Sequence, residues 1–395
     1  MGELNVKYKI GVDFTYVIED SITGIRKYGE EIINELIKQN KDNEIILFVD
    51  ERVKEVYKNN FPECKIISMK FWFKNIKYIR RVNIYKISKI PKEYVMRKQK
   101  CDIIIYPYAN ILAPIINKEK NIVTIHDLNS LDELEDKNSR LYAKMKKENL
   151  NIMEKTRNIV TISEYSKRRL LDINPNYDGK ITVIPNSIAK LKQNDIDISK
   201  ILNIDAPYIF SINSFFKHKN QITLVKAFNE IKEKIPHKLV LVGRPELTSS
   251  KSMYKEILEY IEKNNLNDRV IILSNITDEY RNALFYNADV FVTNSIMEGF
   301  GRTPVEAALC KIPVISTRET SLPEVTMNEV YYYENALDYQ ELANKLIEVI
   351  NNKPSEEKLE AIANKFENEY NVEKIAKRFI ELINEILEGE RNAKN

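Results

Sequence analysis

Short apolar runs and longer amphipathic segments take turns along almost all of this 395-residue chain, and that alternation fixes its fold class. Tyr8–Val12, Ile45–Val49, Asp102–Tyr106, Ile122–Ile125, Asn158–Ile162 and Ile181–Ile184 read as strands. Gly24–Gln39 lies between the first two, with Ile25, Tyr28, Ile32, Ile33 and Leu36 at helical spacing. Strand, amphipathic helix and strand in succession make a βαβ unit, and such units build parallel sheets. The rhythm stops over the polar stretch Ala189–Pro207. It resumes with Tyr208–Ile212, Lys238–Val242, Val270–Leu273, Val290–Val292 and Pro313–Ile315. The expected organisation is α/β throughout: a domain over 1–190, a linker over 191–206, a second domain over 207–371, and a C-terminal helix and tail over 372–395. In that tail Val372, Ile375, Ala376, Phe379, Ile380, Ile383 and Leu387 make an apolar stripe, whereas Glu388–Asn395 lacks one and is expected to fray.

Bulk properties narrow the function. The length suits two domains. A formal net charge of +3 excludes a polybasic nucleic-acid binder. Cys64, Cys101 and Cys310 lie far apart with no CxxC spacing, as expected in a reducing compartment without structural zinc. Neither His126, His218 nor His237 has a ligand partner three or four residues on. His218 and His237 read as surface residues. The first residues carry no apolar signal region, and no run of eighteen apolar residues occurs, so the expected location is cytoplasmic.

The most informative local pattern is Glu298-Gly299-Phe300-Gly301-Arg302-Thr303-Pro304-Val305-Glu306. The chain has 9 glycines, well under the usual share of roughly 7%, yet places two of them within three positions. A Gly-aromatic-Gly turn lets backbone N–H groups approach a ligand closely. A helix starting just after it would aim further donors and its dipole at an anion. The two carboxylates suit sugar hydroxyls, and the whole suits an activated sugar carrying a diphosphate. Thr303, Pro304 and Glu306 also fit a plain capping box, as N-cap, N1 and N3. Glu298 and the turn have no such structural explanation.

Glu298–Glu306, continuing as Ala-Ala-Leu-Cys-Lys-Ile-Pro-Val-Ile-Ser, resembles the E-x7-E signature of the retaining glycosyltransferase family 4 (glycosyl transferases group 1). Further blocks resemble that family in order: Thr23–Tyr28, Thr124–Leu128, Thr161–Lys167, Val183–Ser187, Lys219-Asn220 and Ser321–Val325. The resemblance implies the GT-B fold, two Rossmann-like domains facing across a cleft, with the C-terminal helix returning towards the N-terminal domain. It implies a nucleotide-sugar donor on the second domain and an acceptor, a glycan or a lipid-linked hydroxyl, on the first. By the same resemblance Glu298 contacts the hexose, Gly299, Phe300 and Gly301 approach sugar and diphosphate through their backbone, and Glu306 holds the ribose. Arg302 and Thr303 open the helix facing the diphosphate. Lys219 neutralises the leaving group, His126 faces the reacting carbon, and Gly24 lets the first loop bend close. Asp127 orients the His126 ring or caps the next helix. No Asp-x-Asp site is evident, so no cofactor and no essential metal are expected.

The chain departs from that family at Asn213-Ser214, where an arginine is usual. Lys217, His218, Arg244 or Arg302 would have to supply the charge. Another departure from the mean is Lys70–Lys100, with eleven Lys/Arg and one acid, interleaved with Phe71, Trp72, Phe73, Tyr78, Tyr85 and Tyr94. It reads either as a solvated basic helix with core aromatics or as a segment binding an anionic membrane surface. The latter would place the protein peripherally on the inner face of the membrane. The resulting expectation is a hexosyltransferase of cell-surface polysaccharide or glycoconjugate synthesis. Alternatives are another GT-B sugar-nucleotide enzyme, such as an epimerase or phosphorylase, or a non-catalytic nucleotide-sugar-binding scaffold. Base, hexose and acceptor stay open.

Overall fold

The computed structural model describes residues 8–18, 24–39, 42–69, 92–109, 113–133, 136–202, 206–244 and 251–394. They divide into two compact units, residues 1–187 with 372–395, and residues 188–371.

The first unit is built on a seven-stranded sheet of β1 (Lys9–Phe14), β2 (Glu44–Asp50), β3 (Lys65–Met69), β4 (Ile103–Tyr106), β5 (Asn121–Ile125), β6 (Asn158–Thr161) and β7 (Lys180–Val183). Their order is β3-β2-β1-β4-β5-β6-β7, and every pairing is parallel. Strands such as Ile103-Ile104-Ile105-Tyr106 are buried on both faces, as helix-covered parallel sheets require. Helix α1 (Gly24–Gln39) turns Tyr28, Ile32, Ile33 and Leu36 into one core cluster. The C-terminal helix packs into the same cluster through Ile375, Phe379, Ile380, Leu382, Ile383 and Leu387. It runs over Val372–Lys394, so the segment expected to fray continues the helix.

The second unit has six parallel strands, β8 (Tyr208–Ile212), β9 (Lys238–Val242), β10 (Val270–Leu273), β11 (Val290–Thr293), β12 (Val314–Thr317) and β13 (Tyr331–Tyr333). Their order is β10-β9-β8-β11-β12-β13. Residues 191–206 are not a bare connector: Ile198–Leu202 is helical, and the segment is tied to the unit by Asn282 Nδ2 donating to the Lys192 carbonyl and Tyr286 Oη to that of Leu191. Strands β3 and β13 had no sequence counterpart. Lys65–Met69 is a half-exposed edge strand, and Tyr331–Tyr333 spans three residues, too short for a period to register.

Residues 70–91 of the basic aromatic stretch lie outside the described residues. Residues 92–98 are helical, and Lys92 is buried beside Asp13 and Asp50 rather than solvated. Burial pushes the Asp13 carboxyl up, opposed by the Thr15 N–H and by Lys92. Tyr94 stays exposed, with the Lys98 ammonium 4.6 Å from its ring centre. Among the described residues no helix is long and apolar enough to cross a membrane.

His237 corrects a sequence reading. It is 3% exposed, not a surface residue, because the turn into β9 folds it under the amino-terminal edge of the sheet. Its Nε2 meets Asp289 Oδ2 at 2.7 Å, and Lys353 Nζ holds the other Asp289 oxygen at 2.5 Å. The His237 bond, with Lys353 behind it, holds the Asp289 carboxyl below its ordinary value. A carboxyl depressed by folding contributes stability above its unfolded pKa and loses it as pH falls through the folded one. Asp289→Asn is therefore expected to cost about 1–3 kcal/mol at pH 7, read from urea midpoints. The gap to the native protein should narrow once pH drops below about 4; a constant gap would rule out the charge as its source.

Candidate active site

In an open parallel sheet, ligands sit beyond the carboxyl ends of the strands, where the strand order reverses. In the second unit that point lies between β8 and β11. The loop after β8 carries Lys219 and the loop after β11 carries Glu298, so the two expected residues flank it.

The loops are bound together by an unusual density of polar contacts. Ile296 N donates to the His218 carbonyl at 2.8 Å. Asn220, left-handed at φ 54°, ends the 3-10 turn Lys217–Lys219 before helix α2 (Gln221–Ile231). Its Nδ2 donates to the Asn294 carbonyl at 3.3 Å and to that of Ala336 at 2.8 Å, and Asn294 Nδ2 returns a bond to the Asn220 carbonyl. From the loop after β12, Ser321 Oγ donates to the carbonyls of Glu298 and Phe300, at 2.9 and 3.1 Å, and Thr320 Oγ1 accepts from Glu298 N at 2.9 Å. The loops after β8 and β12 thus hold one short segment of the loop after β11, and Asn220 ties in the loop after β13 through Ala336. Asn220 and Ser321 fall in the blocks Lys219-Asn220 and Ser321–Val325 read from sequence, whereas Asn294, Ser295 and Thr320 were not singled out.

Inside this frame Lys219 Nζ donates to Glu298 Oε1 at 2.5 Å, and Ser295 Oγ donates to the same oxygen at 2.8 Å. Both side chains are largely buried, at 16% and 11% exposure, so the pair is only partly screened by solvent. Nothing among the described residues bonds the second oxygen, Oε2. Lys219 therefore reaches the carboxylate directly instead of standing as a lone cation.

The Gly-Phe-Gly turn divides its labour. Phe300 is buried, its ring 5.6 Å from and edge-on to Tyr370, whose hydroxyl donates to the Val325 carbonyl. The aromatic anchors the turn, which leaves the backbone for a ligand. Gly301 has φ +86°, and a Cβ there would lie 2.6 Å from Leu322 Cδ2. Helix α3 (Arg302–Leu309) starts directly from it, with Gly301 as N-cap and no side-chain cap. The expected capping box is absent: Thr303 is the second helical residue and Glu306 the fifth. The left-handed glycine had already turned the chain into the helix, so no hydroxyl was needed. Glu306 faces Arg302 instead, 3.8 Å away and one turn back. The first N–H groups of a helix have no partner within the helix itself, and Pro304 has no N–H.

In the first unit, His126 directly follows β5. Its Nε2 lies 2.9 Å from the Pro107 carbonyl, and its ring packs edge-on to Tyr28 at 5.0 Å. A carbonyl can only accept, so Nε2 carries the proton and Nδ1 keeps its lone pair. Burial holds the ring below 6.5, against the Pro107 bond and Asp127, so it is neutral at pH 7. Nδ1 has no partner among the described residues. Asp127 accepts from Asn129 N at 3.0 Å, serving the next turn rather than the ring. Gly24 is the first residue of α1, one turn before Tyr28, and a Cβ there would meet nothing within 4 Å. Neither its φ nor its neighbours demand glycine.

Residues 193–366 match the sequence family described as Glycosyl transferases group 1. The chain is 27% identical to an uncharacterized glycosyltransferase of Methanocaldococcus jannaschii, over 87% of this chain and 90% of that protein. It is 26% identical to the capsular polysaccharide biosynthesis glycosyltransferase CapM of Staphylococcus aureus, over 53% of this chain and 58% of CapM. The fold is similar to that of Anabaena HepE in complex with UDP and glucose, with a TM-score of 0.69 and 16% identity, covering 95% of this chain and 99% of HepE. The expected likeness to group 1 glycosyltransferases is thus met over residues 193–366, and the α/β fold is of the GT-B type seen in HepE.

Gly301→Ala is expected to destabilise the second unit by about 1–3 kcal/mol, through the left-handed backbone and the contact with Leu322. Denaturant unfolding checks this. Unchanged stability would mean that the turn does not depend on glycine.

Proposed function

We propose that this chain, whose residues 193–366 form a group 1 glycosyltransferase domain, is a retaining family 4 enzyme that moves a hexose from a nucleotide diphosphate sugar to an acceptor hydroxyl. The observation that carries this reading is the state of Glu298. One oxygen is fixed by Lys219 and Ser295, while the other has no partner among the described residues, beside a helix N-terminus that opens from Gly301. A carboxylate oriented in this way accepts sugar hydroxyls, and the adjacent N–H groups and dipole favour the diphosphate. Glu306, freed from a capping box, is available for the ribose hydroxyls.

In the proposed reaction the bond between the anomeric carbon and the diphosphate oxygen breaks, and the pyrophosphate charge develops towards Lys219 and the start of α3. The acceptor oxygen bonds to the same face of that carbon, and its proton passes to the departing phosphate oxygen. His126 acts as a neutral acceptor at Nδ1, holding a sugar hydroxyl, rather than as a cation. Positioning and preorganised electrostatics supply the acceleration. No residue is assigned to an essential metal. The acceptor is a glycan or lipid-linked hydroxyl of cell-surface polysaccharide or glycoconjugate synthesis, a reading that the likeness to CapM supports. The likeness to HepE with UDP and glucose supports a nucleotide-sugar donor.

Thermal-shift screening with UDP, GDP, ADP and dTDP sugars selects the donor, and slow release of free sugar from it then reports a live transferase. Glu298→Ala should lower that turnover by about 100-fold or more, equivalent to roughly 3 kcal/mol of transition-state stabilisation. Turnover should be unchanged by EDTA. A Glu298→Ala enzyme of native activity would remove the site assignment, and a loss in EDTA restored by Mg or Mn would remove the metal-free mechanism.

A further inference from the structure

We infer that Tyr370 is a positioning residue for the Gly-Phe-Gly turn, and that it ties the state of that turn to the place where the chain passes from one unit to the other. This rests on the donor reading above, in which the turn receives the donor.

The chain leaves the first unit after Ser187 and returns to it after Asn371. On the first unit's side, Ser187 Oγ donates to Glu31 of α1. On the second unit's side the two passages are bonded to each other: Ile188 N donates to the Tyr370 carbonyl at 2.9 Å. Tyr370 also caps helix α4 (Glu356–Glu369), its own N–H donating to the Phe366 carbonyl at 2.9 Å. The backbone of this one residue therefore holds the passage in place.

The side chain of Tyr370 reaches the site instead, by two routes. The first is the ring, which lies edge-on to Phe300 at 5.6 Å, with Phe366 packed 6.3 Å away on another side. The second is the hydroxyl, which donates to the Val325 carbonyl at 2.7 Å. Val325 N donates to the Ser321 carbonyl at 2.9 Å, and Ser321 Oγ holds the carbonyls of Glu298 and Phe300. The hydroxyl is thus bonded to the short helix Leu322–Val325 at the end opposite the serine that grips the turn. All of these residues belong to the second unit.

Packing makes the link stiff. Tyr370 is 4% exposed and Phe366 fully buried, so the ring of Phe300 cannot shift without moving its neighbours. Coupling between two sites is reciprocal. A donor that fixes the turn steadies Tyr370 and its bond to Ile188, and a loosened Tyr370 loosens the turn on which Glu298 stands.

The experiment is amide hydrogen exchange of the full chain, read at Ile188 with and without a nucleotide. UDP and GDP are first titrated by calorimetry, and whichever binds the native protein is carried forward. That nucleotide should slow exchange at Ile188 about tenfold, a usual size for coupling between sites. Tyr370→Phe keeps the ring and removes only the bond to Val325, and should reduce the slowing to less than about threefold. A bound nucleotide that leaves Ile188 unchanged in the native protein overturns the inference. So does a Tyr370→Phe protein that exchanges faster throughout yet keeps the full slowing, since that marks plain packing. Both outcomes leave the donor reading standing. A native protein that binds neither nucleotide overturns both.

Discussion

Parallel pairing is the constraint on which the rest of the molecule depends. Two parallel strands cannot be joined by a tight turn, so each connection crosses back over a face of the sheet as a helix or long segment. All carboxyl ends then lie along one edge, and the loops leaving that edge become neighbours. In the second unit the order β10-β9-β8-β11-β12-β13 puts the β8 and β11 loops side by side, although about eighty residues separate Lys219 from Glu298. In the first unit parallel pairing brings His126, at the end of β5, against Tyr28 on the helix that follows β1.

Within that frame, electrostatics and backbone conformation share the work. Lys219 and Arg302 each face a carboxylate, which keeps partly buried charges from standing alone. In the proposed reaction the diphosphate of the donor would meet cations already in place, at the cost of redistributing their bonds. The left-handed Gly301 starts a helix without a side-chain cap. His126 follows the same economy of protons: with Nε2 on a carbonyl, it offers a fixed lone pair and no charge.

How much of this was legible depended on range. Tyr208–Ile212, Lys238–Val242, Val270–Leu273 and α1 were readable to the residue, because continuous apolar runs and helical spacing are local signals. β13 was not, since Tyr-Tyr-Tyr has no period and is a strand only by pairing with β12. Thr303-Pro304-Val305-Glu306 looked like a helix start with a capping box, and the true start two residues earlier came from the φ of Gly301. His237 looked like a surface histidine because its partner Asp289 is distant in sequence. Lys92 looked like part of a basic surface, yet it is buried beside Asp13 and Asp50.

The sequence by itself determined the βαβ rhythm, the Glu298–Glu306 segment and its ordered companions, since each rests on residues close together in the chain. Tertiary structure alone decided what those residues meet. It put Lys219 and Ser295 on one oxygen of Glu298 and left the other without a partner among the described residues. The physical reason is that parallel register and long crossovers set such contacts between loops far apart in the chain, and no local pattern encodes them.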